Sequence, residues 1–136
     1  MNKKLQKYID LSLALYEPLS ESRCQHLSIA VYKNRIVSIA KNNKKTSPIN
    51  LLNPKFDRDG QNISGIKGSC SELNALKKIK RMTNIPFEKI TLYVTRVNRN
   101  KQISMSRPCF SCCSLLDFEG IKDVFYTNNL GEFEKL

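Results

Sequence analysis

The sequence predicts an α/β fold in which helices cover a sheet. Three observations carry that expectation. Stretches with apolar residues at helical spacing are interleaved with stretches in which side chains alternate, in the order α, β, β, α, β, α, β. The chain has 136 residues and 40% hydrophobic content, enough to bury one core without disulfide staples. No internal repeat and no linker divides it, so residues 1–136 read as one domain.

Residues 3–17 read as a helix, with Leu5, Tyr8, Ile9, Leu13 and Tyr16 at helical spacing and Pro18 stopping the run. In the next stretch Leu27, Ile29 and Val31 alternate with Ser28, Ala30 and Tyr32. Lys33-Asn34 makes a turn, and residues 35–40 form the second strand of a hairpin. Residues 43–69 carry Pro48, Pro54, Gly, Asn and Ser with little periodicity, a long loop of the kind that tends to be functional or mobile. Residues 69–82 read as a helix. Ser69 is the expected N-cap, Glu72 completes a capping box, and Leu73, Leu76 and Ile79 line one face. Residues 89–97 form a strand, 98–101 a turn, and Ile103 and Met105 a short return strand. Pro108 opens a helix over 109–118 that Gly120 ends. Residues 124–126 form a fourth and last short strand, followed by a tail.

The formal net charge is +11. Such a chain is drawn to nucleic acid, nucleotides or anionic surfaces. The basic residues are spread along the chain, however, in short runs such as Lys44-Lys45 and Lys77-Lys78, as on an ordinary solvated surface. No apolar run approaches the length of a membrane span. The basic start MNKKLQKYIDLSLALY carries Asp10 and Glu17 and no small-residue cleavage site, so an intracellular setting is expected. In that setting clustered cysteines signal metal or catalysis, and three of the five cysteines crowd into Cys109-Phe-Ser-Cys112-Cys113.

Two half-motifs carry chemistry. Cys70-x-Glu72 opens one helix, and Pro108-Cys109-x-x-Cys112 opens another. Cys109 and Cys112 share one face of a first turn, and side chains at a helix start lean past its end. If the two helix starts abut, Cys70, Cys109 and Cys112 converge. The dipole and free N–H groups there favour thiolate, and three thiolates suit Zn²⁺ with an open fourth position for water. Glu72 would then move protons between that water and a substrate.

The combination CSE with PCFSC resembles the zinc-dependent nucleoside and nucleotide deaminases. The stretches SIAKNNKKTSP, RVN…SRPCFSC and VFYTNNLGEF look like the small deaminases of phages and large DNA viruses, and the likeness spans about residues 30–128. It implies a three-layer α/β/α cytidine-deaminase-like sandwich with a mixed sheet, and zinc held by Cys70, Cys109 and Cys112. It further implies hydrolytic deamination of a nucleobase with Glu72 as proton shuttle, first of all cytosine in a nucleoside or nucleotide such as dCMP. Asn42, just past the second strand, is expected to orient base or sugar, and Ser71 and Arg107 are the other expected substrate contacts. Relatives of this fold self-associate, so a homo-oligomer is expected.

The sequence departs from the common pattern in three ways. Cys70 stands where a histidine is more usual, which puts a net −1 on the site; Arg107 or Arg96 is placed to offset it. The chain is expected to end after its fourth strand, whereas many relatives add a helix and a strand. No metal-rich or allosteric insertion is present. Alternatives stay open. Cys113 is i+4 from Cys109 and is an alternative ligand to Cys112. A closed structural zinc site would draw its fourth ligand from Cys113, Cys24 or His26, making the chain a non-catalytic binding module. A polynucleotide is the alternative substrate. Without zinc, Glu72 is a capping residue. His26 reads as structural, and Phe56 and Tyr126 read as packing residues that are also able to stack on a base.

Overall fold

Alternating side chains along the strands set the architecture. The computed structural model describes residues 3–16, 24–42, 71–82, 85–98, 100–108 and 110–136. The long loop expected over residues 43–69, with the N-cap residue Ser69, lies outside them.

Strands β1 (Cys24–Tyr32) and β2 (Arg35–Lys41) form the expected hairpin. Its turn residues Lys33 and Asn34 both have left-handed backbones, φ 51° and 63°, the pair that matches the twist of two hairpin strands. Strand β3 (Thr91–Asn98) pairs antiparallel with β1, with Tyr93 opposite Ile29. Strand β4 (Asp123–Thr127) pairs parallel with β3, with Val124 opposite Leu92. Strand β5 (Phe133–Lys135) returns antiparallel to β4. The mixed sheet has the order β2-β1-β3-β4-β5.

Both faces of the sheet are covered. On one face Leu27, Ile29, Val31 and Tyr93, with Phe125 and Phe133, pack against Tyr8, Leu5 and Leu11 of helix α1 (Lys3–Ala14). Tyr8 stacks on Tyr93 at 4.3 Å between ring centroids, and Tyr93 stacks in turn on Phe125 at 5.4 Å. The buried Ser12 hydroxyl, 2.7 Å from that of Thr95, ties α1 to β3. On the other face Ala30, Leu92, Val94 and Val124 meet Ala75, Leu76 and Ile79 of helix α2 (Ser71–Lys80) and Leu116 of helix α3 (Phe110–Glu119). The result is a three-layer α/β/α sandwich, as expected.

Helix α2 also reaches around the β2 edge. The pairing of Asn42 with His26 is a hydrogen-bonded one, so by the two-residue alternation of an antiparallel ladder the carbonyls of Lys41 and Ile39 point away from β1. Asn74 Nδ2 donates to Lys41 O at 2.6 Å and Lys78 Nζ donates to Ile39 O. One helical turn of four residues rises about 6 Å, close to the roughly 6.6 Å between alternate strand residues. Two side chains of α2 therefore meet two successive outward carbonyls of β2.

Four details depart from the sequence reading. Helix α1 ends at Ala14 rather than at residue 17, consistent with the bias of residues before a proline away from helix. A short 3₁₀ turn, Phe87–Lys89, precedes β3. The return strand expected at 103–105 is a single bridge between Ile103 and Val97. The stretch expected to be a tail after the fourth strand contains β5. Its signal was weak because Phe133 is its one apolar residue and the turn depends on Asn128, whose side chain accepts from the N–H groups of Leu130 and Glu132. No helix among the described residues is long and apolar enough to cross a membrane.

Candidate active site

Strands β2, β3 and β4 run in the same direction, because β1 lies antiparallel between β2 and β3, and β4 is parallel to β3. Helix α2 follows β2, and α3 follows β3. Each helix therefore begins near the carboxyl ends of these strands, the edge where open α/β sheets bind ligands. The two helices are of equal length, ten residues each. Their last residues, Lys80 and Glu119, form a salt bridge of 2.6 Å. Their first residues, Ser71 and Phe110, thus lie at the same end of a side-by-side pair.

Glu72 occupies the first turn of α2 and is 5% exposed. Buried carboxylates are rare unless partnered. Ser71, just before it, is fully buried. Its hydroxyl lies 2.8 Å from that of the equally buried Ser28 on β1 and 3.4 Å from Glu72 Oε1. The start of α2 is pinned to the sheet through this hydroxyl pair, and the Ser71 side chain faces Ser28 rather than solvent.

Cys112 lies in the first turn of α3 and is also 5% exposed. Cys113, half-buried, places its Sγ 3.5 Å from Pro108 O. Cys70 and Cys109 lie outside the described residues, each adjoining one of the two helix starts in sequence. Among the described residues no three His, Cys, Asp or Glu side chains form a metal-binding group. The side chain of Cys24 is likewise not described.

Asn42 follows β2 and is half-buried. Its Oδ1 accepts the His26 N–H at 2.9 Å, while its own N–H donates to His26 O, extending the hairpin by one pair. That fixes the amide with its oxygen toward β1. Arg107 is exposed, and its guanidinium carbon lies 6.0 Å above the ring of Tyr126, at the outer limit of a cation–π contact. Arg96, the other candidate to offset thiolate charge, is half-buried on β3 and is paired in register with His26. Tyr126 packs against the core cluster beneath α2 and α3. Phe56 lies outside the described residues.

Two residues at this edge were not singled out from the sequence. Where β3 and β4 part, the segment after the β3 turn inserts between them. Ser104 N–H donates to Arg96 O, and Ser106 N–H donates to Thr127 O. The buried Ser106 hydroxyl donates to Val94 O at 2.7 Å and accepts from Thr127 N–H at 2.7 Å. Thr127 Oγ1, also buried, lies 2.8 Å from both Ser104 O and Ser106 Oγ. A serine three residues before Cys109 carries no periodic signal. Only the tertiary position of Thr127, far along the chain, gives it meaning.

No family model matches the sequence, and the comparison with curated proteins found no match. Similar folds occur among solved structures. The dCMP deaminase of cyanophage S-TIM5, without ligand, is 17% identical, superposes with a TM-score of 0.56, and is covered over 95% of this chain and 86% of its own. This chain has the dCMP-deaminase fold. The same phage enzyme in complex with dCMP and dUMP gives 20% identity and a TM-score of 0.55, covering 95% of this chain and 85% of that one. The dCMP-deaminase fold agrees with the sandwich and mixed sheet expected from CSE and PCFSC.

Proposed function

We propose that the chain is a hydrolytic deaminase of a nucleobase, with cytosine in a free nucleotide such as dCMP as its first substrate class. The observation that carries the reading is the burial of Glu72 and Cys112 in the first turns of two adjacent helices, within a fold shared with a phage dCMP deaminase. The donor chemistry fits zinc. Thiolates suit zinc, the positive end of a helix dipole favours them, and Cys70 and Cys109 adjoin the same two helix starts in sequence. Cys70, Cys109 and Cys112 would hold the ion, which when bound polarises a water for attack on the ring carbon.

The rest is the work of the chain. Glu72 takes a proton from the attacking water and returns it to the departing amino group, so that cytosine and water become uracil and ammonia. Its burial keeps the carboxylate out of bulk water, and the Ser28–Ser71 pair beneath it fixes the helix turn from which it projects. Asn42, its carbonyl oxygen engaged by His26, has its Nδ2 to offer to base or sugar. Arg107 lies next to the motif and offsets the negative charge of three thiolates or of a substrate phosphate. Part of the same reading is that residues 1–136 act as one domain and that copies self-associate.

The test is ammonia release by the zinc-loaded protein on cytidine, deoxycytidine, dCMP, guanine, adenosine, single-stranded DNA and single-stranded RNA. Release from dCMP, reduced roughly 10²–10⁴-fold in Glu72→Gln, is expected. Release from DNA or RNA alone would move the substrate class to polynucleotides. Stoichiometric zinc with no release from any substrate would favour a structural zinc module instead.

A further inference from the structure

We infer that the Ser106–Thr127 hydroxyl clasp is a positioning device that fixes the Cys109–Cys112 half of the site and so governs how long the chain retains its metal. The inference rests on the proposed zinc site and concerns residues outside the ligand set.

The ladder between β3 and β4 runs from Thr91–Asp123 to Val94–Tyr126 and stops there. Beyond it, residues 103–106 occupy the fork. They are tied to β3 by the Ile103–Val97 bridge and by Ser104 N–H to Arg96 O, and to β4 by Ser106 N–H to Thr127 O. The Ser106 hydroxyl closes the apex of the fork, joined to Val94 O on one strand and Thr127 N–H on the other, at 2.7 Å each. The Thr127 hydroxyl closes the outer side against Ser104 O and Ser106 Oγ. The next residues are Arg107, Pro108 and Cys109. Pro108 is buried and its ring fixes its own φ, so few backbone torsions separate the clasp from the first cysteine of the half-motif.

The clasp therefore links the sheet edge to the entry of α3 through short bonds made in a dry setting. Buried hydroxyls of this kind are costly to leave unmatched, so the arrangement is sharply defined rather than one of several. A tetrahedral thiolate site is intolerant of small shifts in ligand position, and supporting residues behind such sites typically change metal affinity by roughly 10–100-fold when altered.

The experiment compares wild type with Thr127→Val, which removes the hydroxyl at constant shape, and Thr127→Ser, which keeps it. Ser106→Ala is a second route to the same loss if Thr127→Val does not fold. Zinc release to a chromophoric chelator is followed at fixed pH, and melting temperatures are taken with and without zinc. Release about tenfold faster or more in Thr127→Val and Ser106→Ala, with Thr127→Ser near wild type, is expected. The stabilisation conferred by zinc should shrink in the two hydroxyl-less variants. Equal lowering of both melting temperatures with unchanged release would overturn the inference and reduce the clasp to a fold-stability feature. A wild-type chain that holds no zinc would instead overturn the site reading, and the clasp inference with it.

Discussion

At the scale of the residue, neighbouring side chains of one type have different environments. Cys112 and Cys113 are adjacent, yet one is buried in the first turn of α3 and the other lies against the Pro108 carbonyl. The sequence left the choice between them open, because both share a helix face with Cys109. Cys112→Ser is therefore expected to abolish stoichiometric zinc binding, while Cys113→Ser keeps it, as read by metal analysis after gel filtration. Retention of zinc by Cys112→Ser would reverse the assignment. The packing of Ser71 was not legible for a related reason. The resemblance implies that Ser71 contacts substrate, and nothing local signals that its hydroxyl is paired with that of Ser28, forty-three positions away. Ser28 itself looked like an ordinary alternate residue of a strand. With both faces of the sheet covered, it had to find a buried polar partner.

At the scale of the element, the sequence was readable where periodicity was strong or a local turn signal was present. The hairpin turn at Lys33-Asn34 and the start of α3 after Pro108 are both local in cause. So is the end of α3. Gly120 has φ +90°, its N–H donates to Asp117 O, and Ile121 N–H donates to Leu116 O, the paired bonds of a Schellman cap. Leu116 and Ile121 are buried in the same cluster. A Cβ added at Gly120 meets no atom within 4 Å, so the cost of Gly120→Ala is that of backbone conformation alone. Chemical denaturation should show a loss of about 1–2 kcal/mol. A loss below about 0.3 kcal/mol would mean the helix end rearranges at little cost. Strand β5 escaped notice, and residues 103–105 read as a return strand where a single bridge forms, because pairing across the sheet, rather than their own pattern, decides how regular they are.

At the scale of the whole molecule, α1 is held to the sheet by an aromatic stack whose centre is Tyr93, and this gives the fold an alkaline limit. Burial raises the pKa of Tyr8 above its ordinary value of about 10. Tyr93 is raised by burial first, then by Tyr8 and Asp123. Folding thus keeps both phenols protonated. Their contribution to stability is complete below about pH 10 and is lost as pH climbs through the raised values. Urea midpoints should be flat in this respect from pH 7 to 9 and fall above 10. The Tyr8 hydroxyl finds no hydrogen-bond partner among the described residues. Tyr8→Phe should accordingly be neutral, or up to about 1 kcal/mol more stable, at pH 7, with a shallower alkaline decline. An unchanged alkaline slope would exclude Tyr8 from it. The layer order that creates this limit was legible from the alternation of β1 and β3 together with the two half-motifs. The stack was not, since nothing local says that Tyr8 and Tyr93 meet.

The capping of β2 by α2 bears on how copies of the chain can grow into larger aggregates. A bare edge strand is a template on which foreign strands crystallise into ribbons. Here an arriving strand would first have to strip Asn74 from the Lys41 carbonyl and Lys78 from that of Ile39. At the opposite border β5 offers three residues, among them the exposed charges Glu134 and Lys135. One margin is occupied and the other is short and charged, so the sheet is poorly suited to end-to-end polymerisation.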